Sequence, residues 1–449
     1  MSLGRMGRRR EGPAKVRNPH PLPANAEERS GSYLRLLMVL LLPSALFNAY
    51  DSELRAVLLS QLKASFHVST AALGLANIPI GSGQFVAFFV VVLADRIGRR
   101  PILMWSILGY TVFTTLSAAS WDLWSFAAFQ SGAQVFIGAE FGVAVTLLVE
   151  EVPSEHRGRY LSVLLLVSPL GAVLGGLLVA VGFLHNPIGW RAFFLLAAVP
   201  LMVVSLARRR LQESRAYLLI AAHRPDARLK QTARRVAGGV FSIWRGTARH
   251  RALAVGSIAF LQGLASAAVI GWWTYYAEHQ RHIGTSTAGA FFAGAALVSI
   301  GGYALCGHLM DRIGRKPTAI AYVICAALCA FATFQVADRW VMLPFLVGTA
   351  FFGIGVAPVL SAFATELFPT VVRAQASAWI RNGFGNAGSV VGPTIVGILG
   401  ATAGPLGNIG NAVSVLALLS LAAVPIVWWA VPETRDVPLN VKEERPRAA

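Results

Sequence analysis

Charge is what this sequence has least of. Only 13% of its 449 residues are Asp, Glu, Lys or Arg, against roughly 25% in an ordinary soluble chain. So few charges cannot cover a soluble surface of this size. A soluble enzyme, a disordered chain and a coiled coil are therefore disfavoured. Cysteine is also scarce. Cys306, Cys325 and Cys329 all fall in apolar runs, without metal-ligand spacing or a paired framework. They read as three buried thiols acting as small apolar residues. There is no P-loop, no Gly-rich cofactor fingerprint, no metal cluster and no nucleophile motif, so neither an enzyme nor a cofactor is expected. Acid is the scarcer sign, with 21 Asp+Glu against 39 Lys+Arg and a net charge of +18. In a soluble protein that balance would suggest nucleic acid as a partner.

What fills the chain instead is apolar. Hydrophobic residues make up 55% and the mean hydropathy is +0.59, the composition of a polytopic membrane protein. A span takes about 20 mostly apolar residues. Twelve runs qualify: 34–58, 72–94, 101–120, 123–148, 160–183, 190–207, 252–276, 288–310, 317–336, 340–365, 374–399 and 407–431. A helix is the open chain form that satisfies its own backbone in lipid, so the expected fold is an all-α bundle of twelve transmembrane helices. Residues 1–33 are basic and rich in Pro and Gly, as in Arg8-Arg9-Arg10, Pro19, Pro21 and Pro23. They are expected to be a disordered cytoplasmic tail. A signal peptide is disfavoured, because the apolar run that follows is too long and lacks a small-residue cleavage site.

The cations set the orientation. With the first tail inside, 33 of the 39 fall in tails and loops on that side. Twelve of them lie in the central loop 208–251. Only Arg55, Lys63, Arg191, Arg281 and Arg339 fall outside, and Arg381 lies within a span. This asymmetry predicts both termini in the cytoplasm of a multi-pass plasma (inner) membrane protein. It removes any need for nucleic acid and leaves the bilayer as the partner of the basic segments.

The sequence also repeats itself. Asp95-Arg96-Ile97-Gly98-Arg99-Arg100-Pro101 recurs 216 residues later as Asp311-Arg312-Ile313-Gly314-Arg315-Lys316-Pro317. At the same offset Glu150, Pro153 and Arg157 map onto Glu366, Pro369 and Arg373. Gln212-Glu213-Ser214-Arg215 parallels Pro432-Glu433-Thr434-Arg435 at an offset of 220. The expected organisation is therefore a 34–207 six-helix half, the 208–251 loop, a 252–431 six-helix half and a 432–449 tail. Parallel halves of six spans are a transporter plan, with the substrate site near the midplane between them.

These residues resemble the major facilitator superfamily. The D-R-I-G-R-[RK] loop after spans 2 and 8, the E-x6-R pairs and the P-E-[ST]-R type ends are similar to its branch of sugar porters and metabolite or aromatic-acid proton symporters. There are departures. The Gly four residues before the motif Asp is Gly307 in the second copy but Val91 in the first. The span-4 Arg is replaced by Gln130, the span-7 Gln pair of sugar porters does not align, and the D-G-x-D of aromatic-acid symporters keeps only Asp51, with Asn48 in the first place. The resemblance implies a cytoplasmic gate of Asp95, Arg96, Arg99, Glu150 and Arg157 in one half and Asp311, Arg312, Arg315, Glu366 and Arg373 in the other. The bland alternative is a set of positive-inside anchors with incidental counter-ions. Exposed ion pairs of about 0–1 kcal/mol suit a gate that opens every cycle.

Three acids lie inside spans: Asp51, Glu53 and Glu140. Charges at that depth are expensive and are functional candidates by default. Asp51 and Glu140 are the proton-coupling candidates. The alternatives are an ion pair of Asp51 with Arg55 and a structural bond for Glu140. Glu53 sits about 200° round the helix from Asp51 and reads as interfacial. The substrate-binding candidates are Tyr50, Gln130, Gln134, Gln262, Trp272, Tyr276, Arg381 and Asn382, with Asn386 a further neutral hydrogen-bonding group. Trp272, Trp273, Tyr275 and Tyr276 read first as interface-belt aromatics, with Trp272 and Tyr276 as an alternative stacking wall. The glycines and Pro393 of span 11 suit a helix that rocks. The expected function is secondary transport of a small organic acid, aromatic acids included, by alternating access with proton symport, by a monomer. The rivals are a sugar or polyol porter, a drug-type exporter and a transport-dead membrane sensor.

Overall fold

The computed structural model describes residues 31–153, 156–214, 218, 242–244, 248–368 and 370–435. Both expected tails, apart from their span-proximal ends, and most of the central loop lie outside the described residues. Within them the chain is helical. The spans are Gly31–Val57, Thr70–Ile97, Arg99–Ala118, Leu123–Glu151, Arg157–Ala180 and Arg191–Ala207 in the first half. In the second they are Ala248–His279, Thr285–Arg312, Arg315–Gln335, then Arg339–Gly355 continuing as Ala357–Glu366. Span 11 begins as Thr370–Ala378, passes through the π-helical segment Trp379–Gly385 and ends as Asn386–Leu399. Span 12 joins Ile409–Leu419 to Ala423–Ala430.

Ten of these helices are long and apolar enough to cross a bilayer. Span 6 is shorter, at 17 residues, and span 11 is interrupted. The break in span 10 falls at Val356, just before Pro358, where a proline ring clashes with the carbonyl four residues back. Bulky apolar side chains such as Phe89, Trp105 and Val199 are exposed on the outside, as a lipid-facing surface requires.

Two sets of helix starts differ in how they are capped. Spans 2, 4, 10 and 12 begin on the face away from the motif turns, and each has a local side-chain cap: Ser69, Asp122, Asp338 and Asn408. Spans 3 and 9 begin at the motif turns and have no such cap. Their free N–H groups are taken by a carboxylate from more than 110 residues away. Glu213 accepts from Arg99 N (2.8 Å) and Arg100 N (3.2 Å). Glu433 accepts from Arg315 N and Lys316 N, both at 2.9 Å. Gly98 and Gly314 make the turns, at φ of 110° and 107°. A Cβ at either position would run into that carboxylate, so the repeated Gly is required twice over.

The core shows how the halves meet. On the face away from the motif turns, one continuous hydrophobic cluster joins both halves, from Tyr50 and Phe126 to Trp272 and Val413. On the motif face there are two clusters, one confined to each half: Leu37, Leu103 and Leu147 in the first, Val255, Tyr322 and Phe363 in the second. Polar contacts follow the same division. Thr274 Oγ1 donates to Ala56 O, Lys63 Nζ to the Tyr275 hydroxyl (2.7 Å) and Thr394 Oγ1 to Gly74 O (3.0 Å). All three join the halves on the far side. Gly74 and Gly397 let spans 2 and 11 touch backbone to backbone there. The molecule is thus closed on the far face and splayed toward the motif face.

Candidate functional site

Between the halves, spans 1, 5, 7, 8 and 10 enclose a cavity. Its lining includes Glu53, Ser266, Trp273, Phe292, Thr349 and Gly353. Most of the surface is apolar, with two hydroxyls and one carboxyl. Glu53, which the sequence places at an interface, is a wall of this cavity. Gln262 sits beside it and spends its amide on Gly353 O (3.0 Å) and Ser266 Oγ (3.1 Å).

Several sequence candidates sit elsewhere. Tyr50, Trp272 and Tyr276 are buried in helix packing. Tyr50 donates to Phe193 O, Trp272 to Pro393 O and Tyr276 to Phe334 O. The aromatics ending span 7 are therefore neither belt residues nor a stacking wall. That end of span 7 lies against span 1 and is covered, and the ring that reaches the cavity is Trp273. The belt role falls to exposed tryptophans at helix ends, including Trp121, Trp124, Trp340 and Trp429. Gln130 donates to Ser117 (3.1 Å), and Gln134 accepts from Gln84 (2.9 Å). Asn386 donates to Gly81 O across the halves, at 3.4 Å.

Asp51 is 0% exposed, on the side of span 1 turned into its own half. Gln130 and Thr114 lie beside its carboxylate, yet neither carboxylate oxygen completes a hydrogen bond among the described residues. The alternative partner, Arg55, is within electrostatic reach of Asp51 and also contacts Asn77, at 3.5 Å.

Glu140 has a partner that sequence reading missed. Arg208, counted there with the central loop, is 0% exposed. It forms a 2.5 Å ion pair with Glu140. Its guanidinium also donates to Ser44 Oγ (2.5 Å) and to the carbonyls of Leu40 and Leu103, both at 3.3 Å. Asn48 donates to the other Glu140 oxygen (2.5 Å). The physical reason is that span 6 is short: a 3₁₀ turn, Arg208–Arg210, tucks back under the bundle. The available signal was that short apolar run ending in three arginines.

The gate residues group within halves. Arg99 holds Glu150 by two bonds, Nε to Oε2 (3.1 Å) and an NH2 to Oε1 (2.9 Å). Ser214 donates to the same carboxylate. The second half repeats this with Arg315, Glu366 (3.3 Å) and Thr434, and Asp311 adds a 3.4 Å contact to Arg315. Arg157 donates to Val152 O (3.0 Å) rather than to Glu150. The Nε of Arg373 has no partner among the described residues, and Arg312 contributes its carbonyl to Arg435. The side chains of Asp95 and Arg96 lie outside the described residues. Glu433 sits outside the membrane. Partial burial works against its charge, but backbone N–H groups of Arg435, Lys316, Arg315 and Thr434 hold its carboxyl below the usual range.

Arg381 and Asn382 lie in the π-helical segment and are exposed. The Arg381 guanidinium is 6.0 Å from the ring centre of Phe141, across the gap in span 4. Tyr303 of span 8 is within its electrostatic reach. Short π-helical stretches frequently mark functional sites. No carboxylate pairs with Arg381 among the described residues.

Two six-helix halves, repeated motif turns and a cavity between the halves can now be set beside known proteins. A family profile described as Major Facilitator Superfamily matches residues 41–379 and, again, 255–449. The chain belongs to the major facilitator superfamily. It is a multi-pass membrane transporter. It is 27% identical over 400 residues to a gallate transporter of Pseudomonas putida, covering 82% of this chain and 85% of that one. It is 25% identical to a cis,cis-muconate transport protein of Acinetobacter baylyi, covering 85% and 92%. Among solved structures it is similar to a D-xylose-proton symporter, with a TM-score of 0.72 and 16% identity over 90% of this chain and 99% of that one. That last likeness is one of fold. As a superfamily member the chain works by alternating access.

Proposed function

We propose that the substrate is a small organic acid, aromatic or unsaturated, moved together with protons. The observation that carries this is Arg381: an exposed guanidinium within a span, stacked over Phe141 and unpaired with any carboxylate among the described residues. A guanidinium presents a fork that fits a carboxylate in two bonds. Trp273 and Phe292 supply apolar rings to the cavity between the halves. The gallate and muconate transporters among its relatives support the same class. Gln262, occupied within its own half, weighs against a sugar site.

The excess of cations on the motif face supports an orientation with that face and both termini in the cytoplasm of the inner membrane. The state described is then inward-facing. One chain supplies both walls of the cavity, which suits a monomer. In this reading Asp51 is the titrating carboxyl of span 1, while Glu140 is held in reserve by Arg208. The Arg99–Glu150 and Arg315–Glu366 clusters keep the inner helix ends in order as the inner gate opens and closes.

The test is uptake into proteoliposomes under an inward proton gradient, with labelled gallate, 4-hydroxybenzoate, cis,cis-muconate and xylose. Acids enter and xylose does not. Arg381→Gln raises KM for the acids at least tenfold, about 1.4 kcal/mol, and Arg381→Lys recovers only part of it. Uptake of xylose alone, or acid uptake indifferent to Arg381→Gln, overturns the reading.

A further inference from the structure

Span 1 carries two acids within three residues, and they face opposite worlds. Asp51 is sealed inside the first half, next to Thr114 and Gln130. Glu53 lines the cavity between the halves. It is the one titratable side chain in that lining. It makes no hydrogen bond or ion pair among the described residues.

Its charged surroundings are sparse. Arg55 lies two residues on along the same helix, within electrostatic reach of both Glu53 and Asp51, and its guanidinium also reaches toward Asn77 of span 2. The facing stretches of spans 5, 7 and 10, residues 161–181, 262–273 and 341–354, contain no titratable side chain. Span 8 offers Tyr303, within reach of Arg381. The other titratable groups of span 7 sit at its ends: Tyr275, Tyr276, Glu278 and His279 at the far end, where Lys63 meets Tyr275, and Arg249, His250 and Arg251 at the motif-face end. In span 6, Arg191 is held by Ser120 O and Arg208 by Glu140. In span 4, Glu140 has that pair and Glu150 has Arg99. Among the described residues no cation lines the cavity opposite Glu53, and Arg55 on its own helix is the cation within its reach.

An anion entering this apolar space meets Glu53 directly. Two like charges in a low-dielectric cavity repel strongly, and neither can be well solvated there. The cavity therefore accepts an organic anion with a neutral Glu53, or an ionised Glu53 without the anion. We propose that Glu53 is the positioning and coupling residue through which substrate charge and proton are linked: the substrate's carboxylate binds only when Glu53 holds a proton, and the two cross together. Protonated, Glu53 also has an O–H to donate to the arriving carboxylate. The step balances, since one proton is taken from water as one anion leaves it, and both are released on the other side. Asp51, with no face on the cavity, serves as the interior site and not as the point where the substrate is sensed.

This rests on the organic-acid reading above, and the experiment separates the two. Full-length protein is reconstituted and given labelled gallate, 4-hydroxybenzoate and cis,cis-muconate. Wild-type protein accumulates an acid when the outside is made acidic. Its apparent affinity falls about tenfold per pH unit over the range in which Glu53 gives up its proton, as linkage to one proton demands. Glu53→Gln keeps counterflow exchange of the same acid, loses accumulation driven by the pH gradient and shows a flat affinity between those pH values. Glu53→Asp restores the slope. Calorimetry of the wild-type protein in buffers of different ionisation enthalpy finds one proton taken up per acid bound, a measurement that needs no variant to fold. Accumulation by Glu53→Gln at the wild-type level, or no proton uptake on binding, overturns the role of Glu53 and leaves the organic-acid reading standing. A wild-type protein that neither binds nor transports any of these acids overturns both.

Discussion

The two halves of this transporter are near copies at the motif face and unlike in the membrane interior. At the motif face each half builds one cluster from the same parts: a glycine turn, an Arg on a Glu, a hydroxyl on that Glu, and a remote carboxylate capping the next span. Inside, the first half buries Asp51, Glu140 and Arg208 and turns Glu53 to the cavity. The second half presents Arg381 on a π-helical segment. Parts that recur in both halves are scaffolding that two six-helix bundles need equally. The unmatched charges are the residues of the proposed site. A substrate passing between the halves would meet Glu53 of the first half near the far face and Arg381 of the second half nearer the motif face.

The largest expected effect comes from the Arg208–Glu140 pair, because both partners are essentially unexposed. Removing one member of a buried pair leaves an uncompensated charge and costs about 3–5 kcal/mol. Arg208→Ala should lower the thermal midpoint in detergent sharply, while Glu140→Leu with Arg208→Met should recover most of the loss, since an apolar replacement of the whole pair is often neutral. If the double variant is instead stable but transports nothing, the pair belongs to the working site and not to the scaffold. That outcome would move Glu140 from one side of the comparison to the other.

The repeated clusters give a smaller effect with a direction. The first-half pair is bidentate, with side chains 9% and 17% exposed; the second is longer, with 17% and 22%. Glu150→Gln should cost about 1.5–3 kcal/mol, as for a charge-assisted bond, and Glu366→Gln less. Equal costs would mean that geometry, not the repeat, had been misjudged as unequal. Glu433 adds a pH signature. Its folded carboxyl lies below its unfolded value of about 4.3, so its contribution is complete above that value and is lost as pH falls through the folded one. Glu433→Gln should therefore destabilise the protein at pH 7 and progressively less as pH falls below about 4.3, read by thermal melts across that range.

Much of this was legible because it is periodic. Twelve apolar runs, one sequence offset and the bias of cations gave the helices, their pairing in two halves and the transporter plan. The motif turns were legible as residues, though not as caps: nothing in Glu213 says that it will meet the N–H groups of Arg99 and Arg100. The site was less readable for a geometric reason. Which of Asp51 and Glu53 faces the cavity depends on the rotation of span 1, and hydropathy cannot set rotation when both sides of a helix are apolar. Tyr50, Trp272 and Tyr276 looked like ligand groups by type, yet their hydroxyls and indole N–H are used on backbone carbonyls of neighbouring spans. Arg208 was hidden by its neighbours: among the basic residues at the start of the central loop it looked like one more surface cation.

The smallest expected effect tests why the far face is shut. There the halves share a core, and Lys63 adds a hydrogen bond to the Tyr275 hydroxyl while lying 5.0 Å from the centre of its ring. His279 stacks on the other side, 4.2 Å centre to centre. Tyr275→Phe removes the hydrogen bond and keeps the ring, which is worth about 0.5–1.5 kcal/mol. Lys63→Ala removes both the bond and the cation over the ring, which adds about 0.5–1 kcal/mol at an exposed site. Distances between spin labels across the far-face loops should therefore shift toward the open form, by at most about tenfold in population for Tyr275→Phe and somewhat more for Lys63→Ala. If neither substitution moves the distribution, closure belongs to the apolar core that both halves share, and the polar contacts there only follow it. If both move it by the same amount, the hydrogen bond acts alone and the ring contributes nothing. Either result would say whether the far side of this molecule is held by a latch or by packing, a distinction that the motif side, with a separate core in each half, does not pose.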